Sequence, residues 1–371
     1  MQLVGEARRA AEVAAAHADE AEANRRLSAP TVEALAAAGM FTMCLPAAHG
    51  GPGASPVEMI DAVIELASAD GAAGWCAGIA STTASMASFL DSDVARVVYP
   101  TPAVATGGVF APNAVAAVEN GRLRVTGRWQ WGSGTQHCEW IVGGARCDDG
   151  RQVVCFFPAS DVTFHDTWHS VGLRGTGSLD FSVDDALVPE SFTVPVGAAR
   201  PTVDEPIARF PNFTLLALGI AATGLGIAQH ALDELADLAA SKTPQFSSRT
   251  LANSGFAQTE AARATARLGA ARAYLRDEVA RAWDQALAGD PIATASRVAM
   301  RLAAANAATA CVEVADAAWT LAGGTAVYES SPLGRCMRDA HVVTQHIMVA
   351  PKLFETLGRH VLGADFDTTM I

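Results

Sequence analysis

The segment that decides the fold runs from Gly172 to Asp184 and reads GLRGTGSLDFSVD. Spaced glycines of this kind cradle the phosphates of a dinucleotide when a strand precedes them and a helix follows them. Here they are followed by the alternating run Leu179-Asp-Phe-Ser-Val183, which has the two-residue period of a β-strand. The pattern therefore excludes a Rossmann phosphate loop and predicts a strand at this point.

The surrounding residues, 103–204, share this strand-like character. They are rich in Val, Thr, Gly and aromatic residues, and polar and apolar residues alternate in runs such as 123–126. Turn signals separate the runs, at Glu119-Asn-Gly121 and at Asp148-Asp-Gly150. The sequence predicts a compact antiparallel β domain over this range.

The chain on either side of the β region has helical spacing. Residues 1–102 are rich in Ala and predict an N-terminal helical domain, interrupted by a Pro- and Gly-rich loop at 43–56. Residues 205–371 predict a C-terminal domain in which about four antiparallel helices pack as a bundle. The long Ala, Leu and Arg segments behind this prediction lie at 213–241, 253–288 and 294–322.

Composition excludes several classes of function. The 371 residues include 26 Lys and Arg against 39 Asp and Glu, a net charge of −13, whereas binding to nucleic acid requires clustered basic side chains. Half of the residues are hydrophobic and 18% are charged, which is typical of a folded chain. The seven cysteines form no C-x-x-C pair, and the N-terminus has no apolar signal region. We therefore expect a cytoplasmic protein without a disulfide framework.

Two uncharged stretches, 71–90 and 210–232, are candidate membrane spans by length. The first is rich in Ser, Thr and Gly, and polar residues near both ends shorten the apolar part of the second. Because a span needs roughly 20 apolar residues, both stretches predict buried helices and no membrane association. Close helix packing also accounts for three glycines in the second stretch, Gly219, Gly224 and Gly226.

The sequence gives little support for a metal site or a serine nucleophile. His165 and His169 are four residues apart, but their neighbours lack helical character and the glutamate of an H-E-x-x-H motif is missing. We therefore expect no metal. Composition leaves a Ser-His-Asp triad open, but the G-x-S-x-G elbow does not occur.

A more informative segment is Gly127-Arg-Trp-Gln-Trp-Gly-Ser-Gly134, with Trp140 following closely. Three tryptophans in a β domain can simply fill its core. The small and hydroxyl residues between them also suit a flat polyaromatic ligand, with tryptophan as a stacking wall and Ser133 and backbone amides facing ring heteroatoms. On these residues alone, both interpretations stay open.

A second candidate segment runs from 338 to 346. In a helix, Arg338, His341 and Gln345 would lie on one side, and His346 would be turned away by roughly a quarter turn. A histidine at such a place is usually structural. In a ligand pocket it can instead donate a hydrogen bond or shuttle a proton near neutral pH.

The order of helical, β and helical regions, together with three motifs, resembles the acyl-CoA dehydrogenase superfamily over nearly the whole chain. The resemblance implies a mostly helical α+β protein with an N-terminal helical domain, a central β-barrel or sandwich domain and a C-terminal four-helix bundle. It also implies a bound flavin and a homotetramer. The motifs are Gly127-x-x-x-Trp131-Gly-Ser133, Gly172-x-Arg174-Gly-Thr-Gly-Ser178-x-Asp180 with Val188-Pro189, and Gly323-Gly324 ahead of Arg338-Asp-Ala340.

Within that superfamily the chain resembles the two-component flavin-dependent monooxygenases. The shared phrases include Ala72-Ala-Gly-Trp75, Trp168-x-x-x-Gly172 and Arg338-Asp-Ala ending at His346. This resemblance implies that a separate flavin reductase supplies reduced flavin. With O₂ as co-substrate, the chain would then hydroxylate a small organic substrate, such as an aromatic compound.

The likeness to the dehydrogenases fails at their catalytic base. There, a glutamate follows nine residues after the arginine that matches Arg338, but here that position is Ile347. An aliphatic side chain cannot accept the α-proton of an acyl thioester. Glu260, on an earlier helix, keeps an FAD-dependent acyl-CoA dehydrogenase open as an alternative, and a non-catalytic scaffold is a second one.

The resemblance also assigns roles in the flavin site. Ser133 would hydrogen-bond the flavin near N5, Trp131 would pack against the ring, and His346 would either steady the reacting oxygen or take a proton from the substrate. The superfamily's Arg-x-Gln-Phe-Gly stretch appears only as Thr243-Pro-Gln-Phe-Ser247, so FMN and FAD both stay open. The residues implied to bind the cofactor are Trp131, Ser133, Arg174, Thr176, Ser178, Phe246, Gly323 and Gly324.

Overall fold

The computed structural model describes residues 2–369 and 371, which form eleven α-helices and one seven-stranded sheet. This confirms the predicted, mostly helical α+β architecture. Six helices precede the sheet. They are α1 (Gln2–Ala16), α2 (Ala18–Asn24), α3 (Ala29–Ala37), α4 (Pro56–Ala67), α5 (Gly71–Ser85) and α6 (Ser92–Val98).

Side-chain caps fix where α4 and α5 begin. The Ser55 hydroxyl accepts a hydrogen bond from the Glu58 amide at 3.2 Å, and the Glu58 carboxylate accepts one from the Ser55 amide at 3.0 Å. At the start of α5, an Asp70 carboxylate oxygen accepts from the Ala72 amide at 3.2 Å. Almost every residue of α5 is buried, so this cap fixes the first residue of a helix that lies in the core.

The sheet occupies the predicted β region. A tight turn joins its first two strands, and Asn120 and Gly121 have the positive φ angles (49° and 78°) that such a hairpin requires. The strand order is β5-β6-β2-β1-β3-β4-β7. The strands are β1 (Thr106–Glu119), β2 (Arg122–Gly132), β3 (Trp140–Cys147), β4 (Gln152–Pro158), β5 (Thr163–His165), β6 (Leu179–Pro189) and β7 (Thr193–Pro195).

The prediction of a purely antiparallel domain was wrong for one pair, because β1 and β3 run parallel. Because β2 runs antiparallel to β1, it ends near the residue at which β1 begins. The connection 133–139 then crosses to the other side of β1, where β3 begins and runs in the same direction as β1. The sheet curls around an aromatic core in which the Trp129 ring lies 5.0 Å from Phe181 and 5.8 Å from Phe157.

Five helices follow the sheet, and the first three match the predicted segments to within two residues. In the most apolar window of α7, 78% of the residues are buried inside the protein, which confirms the buried helix predicted for 210–232. The corresponding value for α9 is 67%. The helices are α7 (Asn212–Ser241), α8 (Gly255–Leu287), α9 (Thr294–Ala322), α10 (Pro332–Val343) and α11 (Leu353–Val361).

The glycines of α7 allow close helix packing, as predicted. A Cβ at Gly226 would lie 2.5 Å from the Ala67 Cβ on α4, and the backbones of Gly219 and Gly78 face each other across the contact of α7 with α5. These contacts fix α5, and with it Trp75, against the bundle. We propose that the domains have the bounds 1–102, 103–204 and 205–371.

Candidate functional site

The site is built around the loop 172–178, which lies against two helices. A Cβ at Gly172 would come within 2.6 Å of the Arg338 carbonyl on α10, and a Cβ at Gly175 would lie 2.9 Å from the Ala72 Cβ on α5. These glycines therefore serve close backbone approach instead of phosphate binding. The strand predicted to follow the loop is β6.

Asp339 anchors this loop to α10. One of its carboxylate oxygens accepts a hydrogen bond from the Leu173 amide at 2.5 Å. Burial raises the pKa of Asp339 to about 7. Leu173 has a φ of 47°, a left-handed conformation that is rare for a leucine, so the backbone here is held against its own preference. Two of the motifs noted in the sequence are thereby joined in space.

Three buried hydroxyl groups, those of Ser133, Thr176 and Ser178, form a continuous hydrogen-bonded row that we call the hydroxyl cluster. Thr176 Oγ1 lies 2.8 Å from the Leu173 carbonyl and 2.7 Å from Ser178 Oγ. Ser178 Oγ in turn lies 2.7 Å from Ser133 Oγ, which also accepts a hydrogen bond from Trp75 Nε1 at 2.9 Å. The structure thus brings three of the predicted cofactor residues together.

The two neighbouring tryptophans of β2 have opposite environments. Trp129 is fully buried and its Nε1 donates to the Gly144 carbonyl, as expected of a core residue. Trp131 is 68% exposed, and its φ of 66° is a left-handed conformation at an irregularity in the pairing of β2 with β6. A strained, exposed tryptophan two residues before Ser133 is typical of a binding site.

His346 lies in a turn, because α10 ends at Val343. The prediction that helical spacing extends to Gln345 and His346 was therefore wrong. The chain turns where the His346 ring accepts a hydrogen bond from a backbone amide two residues later, instead of continuing the helix. Arg338 and His341 also have different partners: Arg338 donates to the Val171 carbonyl, and His341 pairs with Asp316 on α9.

The surroundings of His346 fix its protonation state. Its ring meets the Trp75 ring edge-on at 5.7 Å, and its Nδ1 accepts a hydrogen bond from the Met348 amide at 3.2 Å. Burial, and secondarily the charge of Arg301, lowers the pKa of His346 to about 4. The ring is therefore neutral near pH 7. Because Nδ1 accepts, the proton resides on Nε2, which makes no hydrogen bond to the residues that the structure describes.

Lowering the pH is expected to destabilise the wild-type chain relative to a His346→Gln variant. The folded pKa of about 4 lies below the ordinary value of 6.5, so the unfolded chain takes up a proton first. The stabilisation from neutral His346 is complete above pH 6.5 and is lost as the pH falls toward 4. Urea unfolding at pH 7 and pH 4 should show the difference in unfolding free energy changing by about 2–3 kcal/mol. An unchanged difference contradicts the assignment.

The remaining predicted residues lie outside the hydroxyl cluster. The Arg174 guanidinium donates to the Glu22 and Ser170 carbonyls, at 3.1 and 3.3 Å, and so connects the loop to α2. Phe246 is fully exposed, and Gly323 and Gly324 lie in the turn that follows α9. The hydrogen bonds of the described residues connect none of these last three with the hydroxyl cluster, so their roles stay predictions.

Glu260, the base of the alternative dehydrogenase mechanism, lies on α8. Its carboxylate pairs with Arg263 at 2.8 Å in a surface groove of about 500 Å³ between α8 and α9. None of the ion pairs or hydrogen bonds that the structure describes links it to Ser133 or His346.

The contacts that Trp75 and Asp339 make at the site are not predicted from the sequence. Trp75 belongs to the phrase Ala72-Ala-Gly-Trp75, and in the structure it contacts both Ser133 and His346. Its signal was weak because a tryptophan in an apolar helix is usually core. Asp339 carries no comparable signal, because its chain neighbours are Arg338 and Ala340 and its partner, the Leu173 amide, lies 166 residues away in the sequence.

Comparison with known proteins decides the family. The acyl-CoA dehydrogenase N-terminal domain model matches residues 2–91, and the C-terminal domain model matches residues 218–351. The indole-3-acetate monooxygenase of Pseudomonas putida is 33% identical over 349 residues, covering 93% of this chain and 89% of that protein. This chain belongs to the acyl-CoA dehydrogenase superfamily, among its flavin-dependent monooxygenases.

Two further relatives match this chain over nearly its whole length. The flavin-dependent monooxygenase oxygenase subunit HsaA of Rhodococcus jostii (strain RHA1) is 29% identical, over 95% of this chain and 96% of that protein. The crystal structure of the 3-HSA hydroxylase from Rhodococcus sp. RHA1 superimposes with a TM-score of 0.92 at 27% identity, covering 100% of this chain and 99% of that one. The predicted fold and the predicted enzyme class are both confirmed.

The residues at the site fit the reduced flavin that this family uses with O₂. A planar isoalloxazine ring needs an aromatic surface to pack against, and the exposed Trp131 supplies one. It also needs a polar partner for its central nitrogens. Ser133 Oγ makes two hydrogen bonds and has capacity for a third. Trp131 and Ser133 would thus hold the ring.

Proposed function

We propose that the chain is the oxygenase component of a two-component monooxygenase and that it hydroxylates a small aromatic substrate with reduced flavin and O₂. The observation that carries the proposal is the position of Trp75, which donates to Ser133 and contacts the His346 ring. One buried side chain thus connects the predicted flavin contact to the predicted oxygen contact.

When bound, a reduced flavin supplies the two electrons that activate O₂, so that one oxygen atom goes to the substrate and the other leaves as water. Trp131 and Ser133 would hold the ring. The chain also limits water at the site, because Trp75, Ser133 and the rest of the hydroxyl cluster are all buried.

Of the two roles predicted for His346, the structure favours steadying the oxygen. The proton resides on Nε2, so this nitrogen can donate a hydrogen bond but has no free lone pair with which to act as a base. The low pKa, about 4, also makes the ring a weak proton acceptor at neutral pH. His346 therefore presents a fixed donor to the oxygen that is being transferred.

The position of the dehydrogenase base also supports oxygenation. Ile347, which stands there, is 69% exposed beside His346 and offers no carboxylate. An exposed apolar side chain next to a hydrogen-bond donor can contact a flat aromatic substrate, but it cannot remove an α-proton. The name of the Pseudomonas putida relative points to an indole acid as the first substrate to test.

The proposal includes partners and a location. A separate flavin reductase supplies reduced FMN or FAD, and the protein works in the cytoplasm. We also propose a homotetramer, because several large apolar side chains that are at least 70% exposed need a cover. These are Val171, Phe246, Phe256, Val327, Tyr328 and Leu362.

Isotope labelling tests the proposed function. The purified chain is combined with a flavin reductase, NADH, FMN or FAD, and indole-3-acetate or a phenolic acid under ¹⁸O₂. Mass spectrometry should find one ¹⁸O atom in the product. If reduced flavin binds and no aromatic substrate gains ¹⁸O, the proposed reaction is wrong, and bleaching of bound FAD by an acyl-CoA would establish the dehydrogenase instead.

A further inference from the structure

The two ends of the hydroxyl cluster have fixed hydrogen-bond roles. Trp75 Nε1 can only donate, and it donates to Ser133. The Leu173 carbonyl at the other end can only accept, and it lies 2.8 Å from Thr176 Oγ1. Two acceptor oxygens at this distance without a proton between them would repel each other, so Thr176 donates its proton to Leu173.

The direction of every bond in the row then follows by counting protons. The single hydroxyl proton of Thr176 is used at Leu173, so Thr176 accepts from Ser178 across their 2.7 Å contact. The single proton of Ser178 is used in the same way, so Ser178 accepts from Ser133. Ser133 therefore accepts from Trp75, donates to Ser178, and keeps one lone pair and no proton for any other partner.

We propose that Thr176 and Ser178 are positioning residues that hold Ser133 as a hydrogen-bond acceptor toward the flavin and so make the site prefer the reduced form. The inference rests on the proposed function, in which the flavin N5 faces Ser133. The N5 of a reduced flavin carries a proton and donates, whereas the N5 of an oxidised flavin has only a lone pair. An acceptor at Ser133 matches the first and repels the second.

Asp339, at the end of the row, helps to keep the direction of these hydrogen bonds fixed. Asp339 holds the Leu173 amide at 2.5 Å and keeps Leu173 in its left-handed conformation, which fixes the carbonyl that receives the Thr176 proton. All three hydroxyl groups of the row are buried, so water does not compete for these bonds.

The test compares the affinities for oxidised and reduced FMN, each followed anaerobically by quenching of tryptophan fluorescence. Wild type should bind reduced FMN more tightly. Thr176→Val keeps the shape of the side chain but removes the hydroxyl that accepts the Ser178 proton. Ser178 can then donate to Ser133, which leaves the Ser133 proton free to be donated to N5 of oxidised FMN. The ratio of oxidised to reduced dissociation constants should fall about 3- to 10-fold. Ser178→Ala should lower the same ratio, which keeps the test intact if one variant fails to fold.

Matched controls separate this role from simple damage to the fold. Thr176→Ser keeps the hydroxyl group and should keep the wild-type ratio. Thr135→Val removes a nearby buried hydroxyl whose one hydrogen bond among the described residues goes to the Gly132 carbonyl, outside the row, and this variant should also keep the ratio. In a Ser133→Ala background, Thr176→Val should no longer change the ratio.

The outcomes of the two proposals can be told apart. If wild type binds neither form of FMN or FAD, the proposed function fails. If wild type prefers reduced flavin and both Thr176→Val and Ser178→Ala keep the full ratio, the positioning role is wrong while the proposed function stands. A ratio that falls equally in Thr135→Val would also overturn the inference.

Discussion

Replacing His346 by alanine is expected to lower the rate of oxygen transfer to the substrate by about 10- to 100-fold, while reduced flavin binds as in the wild type. The physical reason is the loss of the Nε2 donor, whose direction is fixed by the bond from the Met348 amide to Nδ1. Product formed per reduced flavin, measured in single-turnover mixing with O₂, reports this loss.

Two further substitutions at the same position sharpen the prediction. Asparagine can still accept from the Met348 amide but cannot reach the Nε2 position, so His346→Asn should resemble the alanine variant. Glutamine can place an amide N–H near that position, so His346→Gln should recover part of the rate. His341→Ala is the matched control, because that histidine is exposed and pairs with Asp316. Wild-type oxygenation by His346→Ala contradicts the assigned role.

Replacing Trp129 by alanine is expected to destabilise the fold by about 3–5 kcal/mol, whereas the same change at Trp131 should cost little stability. Trp129 is fully buried between Phe157 and Phe181, and its Nε1 bonds to the Gly144 carbonyl. Trp131 is mostly exposed and packs against little. Urea unfolding of both variants measures the contrast.

For flavin affinity we expect Trp131→Ala to have the large effect, although its effect on stability is small. Trp131→Ala removes the aromatic surface proposed to face the ring and should weaken binding of reduced FMN about 10-fold, as expected for one stacking aromatic. Trp131→Phe, which keeps an aromatic face, should retain most of the affinity. If Trp131→Ala destabilises the fold as much as Trp129→Ala, the exposed tryptophan is structural and the proposed ring contact is wrong.

Local patterns predicted the secondary structure well. The alternation after Ser178 gave the correct strand, and the turn at Asn120-Gly121 gave the correct hairpin. The period of the Ala and Leu residues placed α7, α8 and α9 to within two residues. These features depend on neighbours in the sequence, which is why residues alone were enough to predict them.

Features that depend on distant contacts were missed. Period-two alternation does not record strand direction, so the parallel pairing of β1 and β3 was not predicted. The left-handed backbone at Trp131 exposes a tryptophan next to a buried one, and nothing in the local sequence marks that change. Likewise, α10 ends before His346, where a turn closed by the histidine ring replaces the helix.

The candidate site was predictable only in part. The resemblance supplied Ser133, Thr176 and Ser178, which the structure joins in one hydrogen-bonded row. It included Trp75 and Asp339 in its motifs but assigned them no role, because their contacts exist only once α5, α10 and the loop 172–178 meet. The direction in which each hydroxyl group of that row donates its hydrogen bond depends on contacts that form only in the folded protein.

The most direct test of the account is an anaerobic structure of the chain with reduced FMN. The account predicts that the flavin N5 lies within hydrogen-bond distance of Ser133 Oγ, with the ring against Trp131 and the Thr176–Ser178–Ser133 row intact. A ring bound away from Ser133, or a carboxylate such as that of Glu260 beside the ring, would contradict it.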